Sequence, residues 1–281
     1  MKIAIIGSGI SGISAAFNLS TNFEISIFEK NNYVGGHSNT IQAIDDENNP
    51  IHIDSGFIVF NKKNYKHFER FLRKLNVCVI KSDMSFSHQN ISDKIIYNTT
   101  PSGFFAEFRS FFLFKKWSFF LSIIFTLNKL KKSKKYRNID TPIYETLQQL
   151  NCPEKVIHNY FMPMASAIWS SNIANAKNIP TSTFINFFDN HGLLNIFFRP
   201  QWLTIKNGSK NYINKFLENF KGQINLNTEV TSVIDNSHDI QIKFKNGRTE
   251  RFDYAVIATH SYQASKLVQN ISSEKKLNIP I

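Results

Sequence analysis

At 281 residues the chain is long enough to bury a sizeable core, and a hydrophobic share of 42% with 14% aromatics excludes a disordered polypeptide. A formal charge of +12 invites a nucleic-acid partner, yet no nucleic-acid module is present and the charge is spread along most of the chain, so none is expected. Cys78 and Cys152 offer neither metal-ligand spacing nor a disulfide framework, and both are expected to be buried thiols in a reducing compartment.

The first element is a short β-branched run, Lys2–Ile6 (KIAII), suited to a strand buried on both faces. It flows straight into GSGISG, without the cleavage region of a signal peptide, and then into a helical stretch over residues 13–20. Glu24–Phe28 (EISIF) alternates as a second strand that ends at Glu29. Strand, glycine turn, helix and strand within about thirty residues make the first βαβ unit of a doubly wound, Rossmann-like α/β fold.

The middle of the chain reads differently. Residues 65–75 form an amphipathic helix with Phe68, Phe71, Leu72 and Leu75 on one face. Residues 102–130 are largely aromatic and helical, and a further helix over 142–150 has Thr141 as its cap. Residues 159–171 are apolar but contain Pro163, which predicts a broken helix. The most membrane-like stretch, WSFFLSIIFTL at 117–127, falls well short of the roughly 20 apolar residues of a spanning helix. The chain is therefore expected in the cytoplasm. Lys115 and Lys116, and the run of Lys131, Lys132, Lys134, Lys135 and Arg137, leave attachment to an anionic membrane surface open, beside the plainer reading of a solvated face.

A helix over residues 211–220 precedes a return of strands. Residues 223–226, Val230–Asp235, Ile240–Phe244 and 251–252 predict a small sheet with a turn at Asn246-Gly247, and residues 254–258 (YAVIA) another buried strand. The order predicts a nucleotide domain built from both ends of the chain. Its parts are residues 1–62 and 206–281, with an inserted, largely helical substrate domain over 63–205.

A GxGxxG pattern is weak by itself, but here it follows a strand, opens a helix and precedes an acid at the end of the next strand. Gly7 permits the tight turn, Gly9 presents no side chain to a pyrophosphate, and Gly12 lets helix and strand approach. Gly7, Ser8, Gly9, Ile10, Ser11 and Gly12 are thus expected to surround the phosphates, where free N–H groups of the helix start favour negative charge. Glu29 accepts bonds from the adenosine ribose, with Lys30 beside it. This unit alone does not separate FAD from NAD.

The following residues do. Tyr33-Val34-Gly35-Gly36-His37-Ser38-Asn39-Thr40 resembles the RxGGRxxT element that follows the ribose-binding acid in flavin-containing amine oxidases and phytoene desaturases. The resemblance implies FAD as cofactor, with Gly35, Gly36 and His37 approaching its diphosphate and flavin through the backbone. Tyr33 and His37 stand in place of two arginines, which weakens the electrostatic part of the element.

The resemblance runs along nearly the whole chain. IDSGFIVFN at 53–61 is similar to a segment of bacterial NAD/FAD-binding oxidoreductases of that superfamily, as are DMSFS at 83–87, MPMASAIWS at 162–170, NHGLL at 190–194 and RPQW at 199–202. Asn207-Gly208-Ser209 stands where relatives carry a Gly-Gly-Ser type turn. The likeness implies an adenine contact through the main chain of Val230, and an approach of Ala258 and Thr259, in FDYAVIATH, to the cofactor. One departure stands out: relatives continue and close with a flavin-contacting segment holding a Gly-Asp pair, which this sequence lacks. The expectation is either a complementary C-terminal chain or a truncated, inactive copy.

The implied chemistry is FAD-dependent removal of hydride from a C–H bond, with the protein supplying orientation and exclusion of water. Such a step forces no base, and no catalytic residue is assigned. His37, His191 and His260 lie in the resembling segments and titrate near neutral pH as a class, though structural roles are the commoner fate of single histidines. Trp169 and Trp202 suit either an apolar tunnel or the core, and Asp54 either a loop near the flavin or a turn cap. No metal-ligand cluster is present. The Phe-rich residues 104–125, interleaved with Lys and Arg, point to a small apolar substrate, fatty acyl or isoprenoid-like first and an amine second.

Overall fold

In the computed structural model, β1 (Lys2–Ile6) divides its side chains between two cores: Ile3 and Ile5 face one layer, Ala4 and Ile6 the other. The structure describes residues 1–93, 95–100, 103, 114–133, 135–195 and 200–269. They divide into two compact units. The first holds the described residues of Met1–Phe60, Tyr65–Lys81 and Leu203–Ile281, and the second those of Asn61–Asn64 and Ser82–Trp202.

Helix α1 (Ile10–Leu19) starts three residues before the expected 13–20, because Gly9, in an extended conformation, already serves as its N-cap. β2 (Glu24–Phe28) pairs parallel to β1, with Ile3 opposite Ile25 and Ile5 opposite Ile27. A hairpin follows, β3 (Thr40–Ile44) against β4 (Pro50–Asp54). Short strands β5 (Phe60–Asn61), β6 (Val79–Ser82) and β9 (Trp202–Ile205) lie where the chain passes from one unit to the other. Between β5 and β6, helix α2 (Lys66–Lys74) puts Phe71 and Leu72 into the first unit's core, with Leu75 just beyond its end. The expected boundary at residue 63 is therefore corrected. The apolar stripe of α2 is satisfied by Phe17 of α1, edge-to-face with Phe71 at 5.2 Å, so residues 65–81 belong to the first unit.

In the second unit, hairpin β7 (Ser87–Asn90) and β8 (Ile95–Asn98) accompanies a run of helices. These are α3 (Phe114–Lys132), α4 (Ile143–Gln149), α5 (Glu154–Val156), a π-helical turn Ile157–Phe161, α6 (Met162–Ile168), α7 (Ile173–Lys177) and α8 (Thr181–Asn190). Thr141 is not the cap of α4: Pro142 holds that position, and the Thr141 carbonyl instead accepts bonds from the Thr181 N–H at 2.9 Å and hydroxyl at 2.7 Å. The predicted break around Pro163 takes a definite form. Pro163 has no N–H for the carbonyl of Asn159, four residues earlier; the buried Tyr97 hydroxyl donates to that oxygen at 2.7 Å, and the helix bulges into the π turn. Among the described residues no helix is long and apolar enough to cross a membrane.

The chain then completes the first unit. α9 (Lys210–Asn219) adds Tyr212, Ile213 and Phe216 to the core beneath α1 and α2. β10 (Gln223–Asn225) does not join the small sheet as expected. It pairs parallel to β2, because Ile224 lies across from Ile27, and a bond from Glu29 N–H to the Asn225 carbonyl at 2.9 Å continues the ladder. β14 (Tyr254–Ile257) pairs parallel to β1 on its other side, giving the order β10-β2-β1-β14.

A second sheet, in the order β13-β12-β11-β15, comprises β11 (Val230–Asp235), β12 (Ile240–Phe244), β13 (Thr249–Phe252) and β15 (Val268–Gln269). The turn falls at Asn246-Gly247 as the sequence indicates, with Gly247 at φ 84°. Phe244 and Phe252 reach Phe28 of β2 at 4.9 and 5.7 Å, so this sheet covers one face of the parallel sheet and the helices cover the other. Helix α10 (Ser261–Leu267) lies between β14 and β15 in the chain.

Candidate dinucleotide-binding site

The three glycines of the turn are required for three different reasons. Gly7 has φ 99°, and a Cβ there would press on the Ala258 carbonyl oxygen at 2.7 Å. A Cβ on Gly12 would overlap the Gly7 carbonyl oxygen. At Gly9, by contrast, a Cβ would meet nothing within 4 Å. The space over Gly9 is open, and it faces the start of α1. The first bond within that helix runs from Ile13 N–H to the Gly9 carbonyl at 2.9 Å, so the N–H groups of Ile10, Ser11 and Gly12 have no acceptor inside it.

Glu29 is buried at the end of β2 and folds back under the turn. Its Oε2 accepts from the Ser8 N–H at 3.0 Å and the Ser8 hydroxyl at 2.6 Å, and its Oε1 accepts from the Asn31 N–H at 2.9 Å. A carboxylate has about four acceptor positions, so one is left for a ligand hydroxyl. Residues 225–228 run alongside: the Glu29 carbonyl accepts from Thr228 N–H at 2.8 Å, two residues before Val230, which is buried at the start of β11. Lys30 is exposed.

The second glycine pair meets the first. Gly35 N–H donates to the Ser8 carbonyl at 3.0 Å, and a Cβ on Gly36 would come within 3.2 Å of Gly9 Cα. The loop beyond it is fixed from below. Buried Tyr212 donates its hydroxyl to Ser38 Oγ at 2.7 Å; burial pushes this phenol up to about 12, so it stays a donor. The His37 carbonyl accepts from Phe57 N–H at 2.9 Å, an approach that needs the bare Cα of Gly56. Past β14, Ala258 and Thr259 close against Gly7, and the His260 ring lies edge-to-face with that of His37 at 5.6 Å. Gly7 to Gly12, Glu29, Gly35, Gly36, His37, Ala258 and Thr259 are thus one cluster, drawn from three separate parts of the chain.

Asp54 proves to be a clamp. It accepts from Thr40 Oγ1 at 2.6 Å, and from the N–H and hydroxyl of Ser209, both at 2.8 Å, tying the hairpin to the start of α9. Ser209, Tyr212 and Ser38 are the residues that sequence reasoning passed over. Their visible signals were the Tyr33–Thr40 element for Ser38, the Asn207-Gly208-Ser209 turn for Ser209 and the helix over 211–220 for Tyr212.

His191, Trp169 and Trp202 lie in the second unit. His191 ends α8, donating from Nδ1 to the Phe187 carbonyl at 2.9 Å and stacking on the Phe187 ring at 4.0 Å. Trp169 packs at 6.1 Å on Phe184, within the apolar core. The basic run is partly engaged, Lys131 with Asn195 and Arg137 with Asp189, both at 2.8 Å or less. Lys134, Arg199 and residues 104–113 of the Phe-rich stretch 104–125 lie outside the described residues, as do the side chains of Lys115 and Lys116. Cys152 is buried, which pushes its thiol up, but Cys78 is exposed, against expectation. Val77 and Val79 on either side of it turn inward, and strand alternation leaves Cys78 outside. Among the described residues no group of three or more His, Cys, Asp or Glu is placed to hold a metal ion.

The model of the flavin containing amine oxidoreductase family matches residues 10–279. The chain belongs to that family. Its cofactor is FAD, and the cradle fits one: the space over Gly9 and the remaining acceptor of Glu29 suit a diphosphate and a ribose. Among curated proteins, a 4,4'-diapophytoene desaturase (4,4'-diaponeurosporene-forming) of Staphylococcus aureus (strain Newman) is 51% identical over 43 residues, 15% of this chain and 9% of the desaturase. Among solved structures, a putrescine oxidase bound to putrescine superposes with a TM-score of 0.73 at 14% identity, covering 99% of this chain and 63% of that one. A CLA-producing fatty acid isomerase from P. acnes gives 0.64 at 15% identity, again over 99% and 63%. The two structures share the fold with this chain, which spans less than two thirds of either.

Proposed function

We propose that this family member is an FAD-dependent oxidoreductase that removes hydride from a C–H bond of an apolar substrate. The observation that carries this reading is the open space over Gly9, walled by Gly36 and set at the free N–H groups of α1. Bound FAD supplies the hydride acceptor. The residues of this chain bind and orient it. The N–H groups of Ile10, Ser11 and Gly12 favour the diphosphate, Glu29 accepts from the ribose, and the buried Glu29 charge disfavours a 2′-phosphate. Hydride leaving an activated carbon needs no protein base, so no catalytic residue is named.

Two of the similar proteins, by name, handle a carotenoid precursor and a fatty acid, and a third binds putrescine. They support a fatty acyl or isoprenoid-like substrate first and an amine second. The purified chain is expected to show oxidised flavin bands at near-stoichiometric level, with FAD as the released species. Protein that stays colourless after FAD is added overturns this reading for the chain alone.

A second reading, a half-enzyme that needs a complementary polypeptide, is favoured by hairpin β3–β4. Ile41 and Ile53 are direct cross-strand neighbours, yet they are 51% and 47% exposed. Such an apolar face commonly receives another element. Flavin uptake that occurs only with a polypeptide supplying the remainder of the neighbouring folds supports this alternative.

A further inference from the structure

The diphosphate end of the cradle has strong backbone donors but lacks the arginines of the resembling element, whose places are taken by Tyr33 and His37. We propose that His260, together with His37, supplies the missing side-chain contacts, the two imidazoles acting as a paired N–H donor site for the diphosphate of the bound dinucleotide. The proposal rests on the FAD reading of the cradle.

Three observations carry it. First, the two rings come from segments that press on the glycine turn from different sides. His37 follows Gly36, whose Cα faces that of Gly9 so closely that a Cβ would come within 3.2 Å, and His260 follows Ala258 and Thr259, which close on Gly7. Their rings meet at 5.6 Å and 74°, an edge-to-face pair linking the two segments next to the turn. Second, both side chains are exposed; among the described residues the His37 ring makes no hydrogen bond or ion pair, and the His260 side chain serves as an acceptor, from the Gln263 N–H in the capping box of α10, so its N–H stays free to donate. A neutral imidazole always has one N–H to donate, so the pair brings two donors that the fold does not consume.

Third, both backbones are fixed where they stand. The His37 carbonyl is held by Phe57 N–H at 2.9 Å. The His260 N–H donates to Gln263 Oε1 at 3.3 Å, and its carbonyl accepts from Gln263 N–H at 2.9 Å. Tyr262 stacks on His260, 5.7 Å away at 13°. Exposed rings on mobile backbone would be surface decoration. These are exposed rings on anchored backbone, in the two segments that flank the glycine turn.

The test is titration of the full chain with FAD, ADP and adenosine, followed by calorimetry. His260→Asn is the informative variant, because Asn is a favoured N-cap residue and keeps the start of α10 intact. Its thermal midpoint is expected to match that of the parent chain. Its affinity for FAD and for ADP is expected to fall about ten- to a hundredfold, as for loss of a bond to a charged group, while adenosine binding is unchanged. His37→Ala should weaken the same two ligands, and the double variant should lose less than the product of the single losses. Parent protein that binds FAD while His260→Asn and His37→Ala bind it equally well overturns the histidine proposal alone. Equal losses for ADP and adenosine overturn it too, since the contact would then lie away from the phosphates. Parent protein that binds neither FAD nor ADP overturns the cofactor reading and this proposal with it.

Discussion

Gly9 and Gly12 stand three residues apart in one motif, yet they call for glycine on opposite grounds, and substitution separates them. A Cβ at Gly9 enters open space, so Gly9→Val is expected to leave thermal stability nearly unchanged and to abolish FAD retention. A Cβ at Gly12 overlaps the Gly7 carbonyl, so Gly12→Ala is expected to cost about 1–3 kcal/mol of stability through overpacking, measurable by urea denaturation. Normal flavin retention by Gly9→Val would sink the assignment of the cradle. The cysteines offer an independent check on packing. Cys78 is exposed while Cys152 is buried with its thiol pushed up, so a thiol reagent at pH 8 is expected to modify Cys78 in the native chain and both residues only after denaturation.

Elements of this protein are held by polar contacts between distant segments as much as by apolar stripes. Asp54 links β3, β4 and the start of α9 across 155 positions of sequence. Asp54→Ala strands the buried Ser209 hydroxyl and is expected to cost about 2–3 kcal/mol by thermal denaturation; a loss under 0.5 kcal/mol would show the clamp to be incidental. The π turn gives a parallel case in the second unit. Tyr97→Phe removes a donor that takes the place of the missing N–H of Pro163, and a cost of about 1–3 kcal/mol is expected from loss of this buried bond, measured by thermal denaturation. Local pattern announced the break at Pro163 but not its repair, because the Tyr97 hydroxyl arrives from 62 residues away.

For the molecule as a whole, the βαβ start, the helical middle and the returning strands were all legible in the sequence. Each is governed by short-range periodicity and by turn glycines whose backbone conformation is a local requirement. Gly7, Gly9, Gly12 and Glu29 were legible for the same reason, and the Gly35-Gly36 pair through its resemblance to a flavin-binding element. What the sequence could not assign was partnership. Residues 65–81 looked like the beginning of the insertion, and only the packing of Phe71 and Leu72 against α1 and α9 places them in the first unit. β10 looked like part of the small sheet until its register with β2 made it an edge of the parallel one. The pairing of His37 with His260 joins residues more than two hundred positions apart. Periodicity and turn chemistry act over a few residues, so the sequence determined by itself which segments are strands, helices and phosphate-facing turns. Which segments lie side by side is settled by burial and hydrogen bonding over the whole chain, and that only the tertiary structure decided.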